Sequence, residues 1–363
     1  MYDMHLSDMY PPTEQDELPP AVEEQWKKWV AQETQLRALL GHYVLDGHIS
    51  EYSGSPTCQR HTTHSLPSPS DDTVFNASTA EAWVEIQKRQ KTHRVSFLRQ
   101  FNTLFSKSVH PEDMGISLTE LSARVLLEGI KSFVVDSSKH DGHAVGVPSR
   151  ADIDRASGHL YRYITSSTNV DSVSKLSILL RWHTIGIDAA VNFSWLCRSL
   201  CQHLKIEQRL FHEKEMEVAD FAPWSASRSA RLGLLHAICI HRILQELSLT
   251  RMQSFHAPAA TFSAGMVYCA FLIAGTSKVS NPNVINWETL MVWIHDSPES
   301  SKYSGLDTDV RRFLEDPSRV QGPSMNITYD LNLFRSTLQT LEQVWGIAGT
   351  MYSTLNQVAT GCT

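Results

Sequence analysis

Residues 23–44 read EEQWKKWVAQETQLRALLGHYV, and this segment indicates a helical protein. Its apolar residues Trp29, Leu36, Leu40 and Tyr43 recur at intervals of seven, four and three, which places them on one face of an α-helix. Similar spacing predicts further helices at about 80–104, 117–130, 153–165, 172–203, 225–249, 257–274 and 331–355. Strict alternation of apolar and polar residues is nearly absent, so no strand is predicted. The sequence therefore predicts an all-α fold, a large irregular helical domain with long loops.

Composition and local signals suggest how this domain is organised. The chain has 363 residues, of which 42% are hydrophobic and 20% charged, and this much apolar surface excludes wholesale disorder. We expect an acidic, proline-containing tail over residues 1–20 and one helical domain over residues 21–363. The polar stretch Asp136–Arg150 is a candidate mobile insertion and a possible sub-boundary. Ser117–Glu120 resembles a capping box that opens a helix.

Charge and hydropathy limit the classes of partner. The chain has 32 Lys and Arg residues against 39 Asp and Glu, a formal net charge of −7, and no dense basic run, so we expect no direct contact with nucleic acid. Ala257–Gly275 carries no charge, but Pro258, Thr261 and Ser263 make it only mildly apolar, which favours a buried helix over a membrane span. Six thinly spread cysteines favour a reducing compartment, and the acidic N-terminus is unlike a secretory signal.

No catalytic, cofactor or metal motif is evident. Cys197 and Cys201 have finger-like spacing, but the His pair that a zinc finger needs does not follow them. The loop histidines at positions 61 and 64, and at 140 and 143, lack further ligands nearby. The H-E-x-x-H, G-x-S-x-G and glycine-rich phosphate-loop patterns are absent. We therefore expect no metal site, no cofactor and no DNA-binding residues, and we assign no catalytic residue.

The most informative polar residues lie in a long apolar helix, in the segment RWHTIGID at positions 181–188. Buried polar groups need partners, so these residues either pair across the core or line a pocket. His236 and His241 are five apart, about 140° around a helix axis, and so cannot share one face. The candidate ligand-pocket residues are Arg181, Trp182, His183, Asp188, Trp224, His236 and His241.

Two segments resemble a known family. Residues 26–37, WKKWVAQETQLR, and the LD of residues 45–46 resemble the W-x-x-W-x-x-x-E-x-x-x-R…LD run of the fungal-specific transcription factor regulatory region. This helical middle homology region follows the zinc-cluster or Cys2His2 fingers of fungal regulators. Residues 64–69, HSLPSP, and the aromatic residues up to Trp83 resemble the family's LP-containing loop and the helix after it. The resemblance is specific over residues 18–83 and looser to Gly275, where it includes Leu179–His183.

The resemblance implies a regulatory-region fold. The family's DNA-reading module holds zinc through a dense Cys or Cys/His cluster, and this sequence contains none. We therefore expect a nuclear transcription regulator without its own DNA-binding domain that responds to a small molecule or a regulatory protein partner.

The alternative is a cytoplasmic small-molecule binding protein, or a cofactor-free enzyme of specialised metabolism that catalyses a cyclisation or rearrangement. Such an enzyme would act by holding a reactive substrate in one conformer. Arg181, His183 or His236 would then polarise a carbonyl by hydrogen bonding. The sequence leaves open whether the protein is an enzyme.

Overall fold

The computed structural model describes residues 22–53, 57, 66–89, 95–107, 118–139, 147–207, 210–211, 219–247, 254–282, 284–295, 308–315 and 323–362. The helices of this part of the chain are α1 (Val22–Ser53), α2 (Asp72–Phe75), α3 (Ala80–Arg89), α4 (Phe97–Leu104), α5 (Glu120–Lys139), α6 (Arg150–Ser166), α7 (Ser172–Val191), α8 (Phe193–His203), α9 (Phe221–Ser225), α10 (Arg228–Glu246), α11 (Ala257–Ile273), α12 (Trp287–Trp293), α13 (Thr308–Glu315), α14 (Ile327–Leu341) and α15 (Gly346–Gly361). The all-α class predicted from the sequence is confirmed.

A small antiparallel ribbon joins two distant parts of the chain. Strand β1 (Lys278–Ser280) pairs with β2 (Ser324–Asn326), and Val279 lies opposite Met325. The expectation of no strand was therefore wrong. Each strand has only three residues, which is too short for the alternation of apolar and polar side chains to be visible in the sequence.

Helix α7 lies at the centre of the fold, packed against α5, α6, α8, α10 and α11. The Asp171 carboxylate caps its first turn by accepting hydrogen bonds from the backbone N–H groups of Val173 and Ser174. Asn192 ends it at a left-handed φ of 50°, and the Asn192 side chain then caps α8. The single helix predicted over residues 172–203 is thus two helices, because Asn adopts the left-handed conformation more readily than most residues.

Helix α11 is the uncharged segment that the sequence singles out. All its residues from Ala257 to Phe271 are buried, among α7, α8, α10, α14 and α15. A helix enclosed on every side is apolar all round, so this environment accounts for the missing charges. Within the described ranges, no helix is both long enough and apolar enough to cross a membrane.

The segments at residues 26–46 and 66–83 pack on each other. The rings of Trp29 on α1 and Trp83 on α3 lie 5.5 Å apart between centroids. The buried carboxylate of Glu33 accepts hydrogen bonds from Arg37 Nε at 3.0 Å and from the backbone N–H of Ser70 at 2.9 Å. Arg37 in turn donates to the carbonyl of Ser70 at 2.7 Å. These polar contacts attach the loop that follows the LP motif to α1.

Several predicted boundaries were wrong. Helix α5 begins at Glu120, so Thr119, whose Oγ1 accepts the N–H of Ser122 at 3.1 Å, caps it in place of Ser117, which lies outside the described residues. The same helix continues to Lys139, so the first four residues of the predicted 136–150 insertion are helical. Residues 140–146 and the predicted tail of residues 1–20 also lie outside the described ranges.

The C-terminal third differs from the prediction in two further places. The single helix expected over residues 331–355 is two helices, α14 and α15, separated at residues 342–345. The region between α11 and α14, expected to be loop, contains α12 and α13. Both are short amphipathic helices of seven and eight residues, and windows of this length give a weak periodic signal.

Candidate functional site

The predicted pocket residues separate into four places. Successive residues of a helix differ by about 100° in direction, so neighbouring side chains of α7 reach different partners. Arg181 and Asp188 face α1 and α5, whereas Trp182 and His183 face α10 and α12. His236 lies with the second pair, while His241 and Trp224 lie elsewhere.

Arg181 is the centre of a buried ionic cluster. Its side chain is 1% exposed. Its Nε and Nη2 donate to the two carboxylate oxygens of Glu128 at 2.8 and 2.7 Å, and its Nη1 donates to Glu51 at 2.7 Å. Lys131 donates to Asp188 and lies 3.5 Å from a Glu51 oxygen. We call these five residues the ionic cluster; it joins α1, α5 and α7.

The charges of the ionic cluster support one another. Burial opposes the charged form of Glu51, but the attraction of Lys131 and Arg181 outweighs it and holds the pKa of Glu51 well below its usual range. Burial likewise opposes the charged Lys131, yet Asp188 and Glu51 raise the Lys131 pKa. With three carboxylates and two cations, the ionic cluster carries a formal charge of −1.

Two histidines adjoin the ionic cluster. His48 Nε2 on α1 lies 3.5 Å from Glu128 Oε1, and the rings of His48 and His256 lie 4.4 Å apart between centroids. Burial, then the nearby Arg181 charge, lowers the pKa of His48 to about 4. One ligand-type atom from each of His48, Glu128 and His256 lies within 4.8 Å of the others, and all three residues are buried. In the part of the chain that the structure describes, these three residues could hold a metal ion.

Sequence reasoning missed this group. Its members come from α1, α5 and the residue preceding α11, and they are separated by 80 and 128 residues in the chain. Motif searches detect ligands that are close in sequence, and no such spacing exists here. Only the tertiary packing brings the three side chains together.

His183 and His236 form a buried pair. Their Nδ1 atoms lie 2.9 Å apart, and the His236 ring stacks on Trp287 at 4.2 Å between centroids. Burial lowers the pKa of His183 to about 3 and that of His236 well below its usual value. Both rings are therefore neutral, and one Nδ1–H donates to the other ring. Gly186 makes room for this pair, because a Cβ there would lie 2.2 Å from the His236 ring.

The space beside this pair is small. A cavity of about 10 Å³ is lined by His236, Gly186, Met291 and neighbouring residues. That volume is about one water molecule. Among the described residues, the cavity beside His236 is therefore too small for an organic substrate.

The other two predicted residues pack separately. His241 Nε2 lies 3.8 Å from an Asp330 carboxylate oxygen, and its ring packs edge-on against Phe334. Trp224 is partly buried and packs against Phe271 at 5.5 Å between ring centroids. As expected from their five-residue spacing, His236 and His241 face different neighbours.

A larger cavity of about 350 Å³ lies between α4, α5 and α6. None of the predicted pocket residues lines it; its lining is Leu98, Phe101, Asn102, Phe105, Lys107, Phe133, Pro148, Asp152 and Arg155. Phe105 and Phe133 meet edge to face at 5.2 Å between ring centroids. We call it the α4–α6 cavity. Its residues come from three separate segments, so no local sequence pattern marks it.

The polar groups of the α4–α6 cavity are mainly cationic. Arg155 donates to Asp152 and to the Phe105 carbonyl at 3.4 Å, while the buried Arg155 Nε has no hydrogen-bond partner. Lys107 is exposed at the rim. Hydrogen bonding from Ser149, followed by Arg155, lowers the pKa of Asp152 despite some burial. Two cations and one carboxylate leave a formal charge of +1, which suits an anionic group.

Comparison with protein families, with curated proteins and with solved structures found no match to this chain. Among the described residues, the α4–α6 cavity has the volume and the mixed lining that small-molecule sites commonly have.

Proposed function

We propose that this protein is a ligand-responsive helical regulatory domain of the fungal transcription factor type, and that its small-molecule ligand binds in the α4–α6 cavity. One observation carries the proposal: a cavity of about 350 Å³ with an aromatic lining and a net positive charge. Ligand sites typically span about 300–1,000 Å³ and combine apolar walls with a few polar groups.

The lining defines the class of ligand. Phe101, Phe105 and Phe133 offer apolar ring surface, and Arg155 offers an unpaired buried N–H together with its charge. A small molecule with an apolar or aromatic body and one anionic group, such as a carboxylate, complements both features. A charge-assisted hydrogen bond to Arg155 would fix the orientation of that group.

The position of the cavity gives a route from ligand to partner. Phe133, which lines the cavity, lies on α5, and the same helix carries Glu128 and Lys131 of the ionic cluster. A ligand that favours one position of α5 therefore changes the contacts that α5 makes with α1 and α7. Such a ligand shifts the equilibrium only by the difference between its affinities for the two positions.

The sequence resemblance supplies the transcriptional part of the proposal. The resembling segment contains Trp29, Glu33 and Arg37. All three residues help to attach α1 to the residues that follow the LP motif. We propose that α1, attached to the fold by these largely buried contacts, is presented to a regulatory protein partner in the nucleus. The enzyme alternative has less support, because among the described residues the cavity beside His236 has space for only about one water.

The binding test uses the full chain and a panel of aromatic and aliphatic carboxylic acids, screened by native mass spectrometry and quantified by calorimetry. Arg155→Gln is expected to weaken binding about 10- to 100-fold, the loss of one charged hydrogen bond. Arg99→Gln, at an exposed position of α4 outside the cavity lining, is the matched control and should leave affinity unchanged. Equal affinity of the two variants would reject the α4–α6 cavity as the site.

The regulatory test fuses the chain to a heterologous DNA-binding domain and measures reporter output. A bound ligand should change output for the native chain and for Arg99→Gln, but not for Arg155→Gln at the same ligand concentration. A ligand that binds in vitro yet leaves the reporter unchanged in all three would identify a binding protein and contradict the regulatory role.

A further inference from the structure

We propose that His48, Glu128 and His256 bind a zinc ion in the core, where α1, α5 and the start of α11 meet. This site is separate from the α4–α6 cavity and does not depend on the function proposed above. It also departs from the expectation of no metal, which the sequence alone suggested.

Unpartnered nitrogens are the first observation. His48 Nε2 and both ring nitrogens of His256 are buried and have no hydrogen-bond partner. His256 is 0% exposed, so bulk water cannot satisfy it. Buried polar atoms in folded proteins nearly always have partners, and each neutral imidazole has one lone-pair nitrogen, so the two rings offer two lone pairs to an occupant at this place.

The geometry matches zinc coordination. Zn–N and Zn–O bonds of about 2.0–2.1 Å in a tetrahedron place ligand atoms about 3.3 Å apart. His48 Nε2 and Glu128 Oε1 are already 3.5 Å apart, and one ligand-type atom from each of the three residues lies within 4.8 Å of the others. Closing a separation of 4.8 Å to about 3.3 Å requires a shift of up to about 1.5 Å, and a water would take the fourth tetrahedral position beside the three protein ligands.

Glu128 retains capacity for a metal although it pairs with Arg181. Each carboxylate oxygen has two lone pairs, and the Arg181 guanidinium takes one from each oxygen. The remaining lone pair of Oε1 is on the atom closest to His48. If Glu128 binds both Arg181 and a metal, the hydrogen bonds from Arg181 orient the Glu128 carboxylate, as outer-shell partners of metal ligands commonly do.

The surrounding charge tolerates a divalent cation. With Glu128 counted as a zinc ligand, the other four members of the ionic cluster have a formal charge of 0, and the nearby Arg124 is paired with Glu120 at 2.6 Å. Two imidazoles and one carboxylate are the donors that zinc accepts, whereas calcium and magnesium require mostly oxygen ligands.

The experiment measures zinc on the complete chain. The protein is unfolded and refolded with excess Zn²⁺ or with a chelator, then desalted, and its metal content is determined by mass spectrometry. Refolding removes the question of access to a buried site. The native chain should retain one equivalent of zinc. His48→Gln and His256→Gln should each bind zinc at least about 100-fold more weakly, because loss of an outer-shell partner alone weakens metal binding by up to about 100-fold.

His42→Gln is the matched control, because His42 lies on α1 with His48 but outside the three-residue group. It should retain one equivalent, which separates the site from adventitious binding to the other histidines among the 17 in the chain. Circular dichroism checks that each variant folds. The native chain is also loaded with Co²⁺, so that one measurement does not depend on variants.

Three results would overturn the proposal. One is the absence of zinc from the refolded native chain. Another is equal zinc retention by His48→Gln, His256→Gln and the control. The third is a thiolate charge-transfer band in the Co²⁺ spectrum, since that band would assign the metal to cysteines.

Discussion

Gly129 on α5 permits the close approach of α4 on which the α4–α6 cavity depends. A Cβ added at Gly129 would lie 2.1 Å from Cζ and 2.6 Å from Cε1 of Phe101, far inside van der Waals contact. Phe101 is buried, so a shift of its ring, even toward the cavity that it lines, breaks its present core contacts. Gly129→Ala should therefore destabilise the protein, although alanine is the better helix former.

The magnitude follows from two opposing effects. Overpacking a rigid core costs typically 1–3 kcal/mol, and we take about 3 kcal/mol here because the clash is with a ring. Replacing a mid-helix glycine with alanine gains about 1 kcal/mol. The expected net loss in the free energy of unfolding is therefore about 2 kcal/mol.

Urea unfolding followed by circular dichroism measures this change, with Gly41→Ala as control. Gly41 lies within α1, and a Cβ there would meet no atom within 4 Å, so this variant should gain about 0.5–1 kcal/mol. In a Phe101→Ala background the clash is gone, and Gly129→Ala should then stabilise by about 1 kcal/mol. A stabilising effect of Gly129→Ala beside the native Phe101 would refute the reasoning.

Three other perturbations test the core. Arg181→Met leaves the buried Glu128 without its cation and Glu51 with Lys131 alone, and should cost about 3–5 kcal/mol in urea unfolding. The free energy of unfolding should also fall as pH decreases below about 6.5, because His183 and His236 take up protons in the unfolded chain but stay neutral when folded. Each proton that only the unfolded chain takes up lowers the free energy of unfolding by about 1.4 kcal/mol per pH unit, from about pH 6.5 down to the folded pKa. His183→Gln removes one such proton and should flatten the profile of stability against pH. Asn192→Ala, at φ 50°, should cost about 1–2 kcal/mol, whereas Asn192→Gly should cost less.

Each of these predictions has a clear contrary result. Arg99→Met on the exposed face of α4 is the control for Arg181→Met, and a similar small loss for both would argue against the ionic cluster. A pH profile that is identical for the native chain and His183→Gln would argue against a neutral buried histidine pair. Equal stability of the Ala and Gly variants at Asn192 would mean that the left-handed backbone carries no strain.

The sequence predicted the elements with long, regular apolar spacing. The uncharged run of α11 and the apolar face of α1 extend over several turns, so their helical character is visible without tertiary information. The division of the 172–203 segment was not visible, because it depends on one residue, Asn192, adopting a left-handed conformation. Propensity allows this conformation at Asn without requiring it.

The candidate sites were predictable only in part. The five-residue spacing of His236 and His241 correctly predicted that they face different neighbours. Arg181 was expected to have polar partners because a buried charge needs them, but the sequence did not identify those partners. The partners themselves lie 53 and 130 residues away along the chain, at Glu128 and Glu51. Contacts over such distances arise from the packing of whole helices, and no local pattern encodes them.

Helix α7 is attached to other helices on two opposite sides, and this affects how its amide hydrogens exchange with solvent. Arg181 is bound to carboxylates of α1 and α5, while His183, only two residues on, is bound to His236 of α10. Rotating α7 by a single residue, about 100°, would break both attachments together. The amide hydrogens of α7 should then exchange only when the whole domain opens, whereas those of the peripheral α4 exchange through local opening. A ligand that acts from the α4–α6 cavity, as we propose, would therefore move outer helices around a stationary α7.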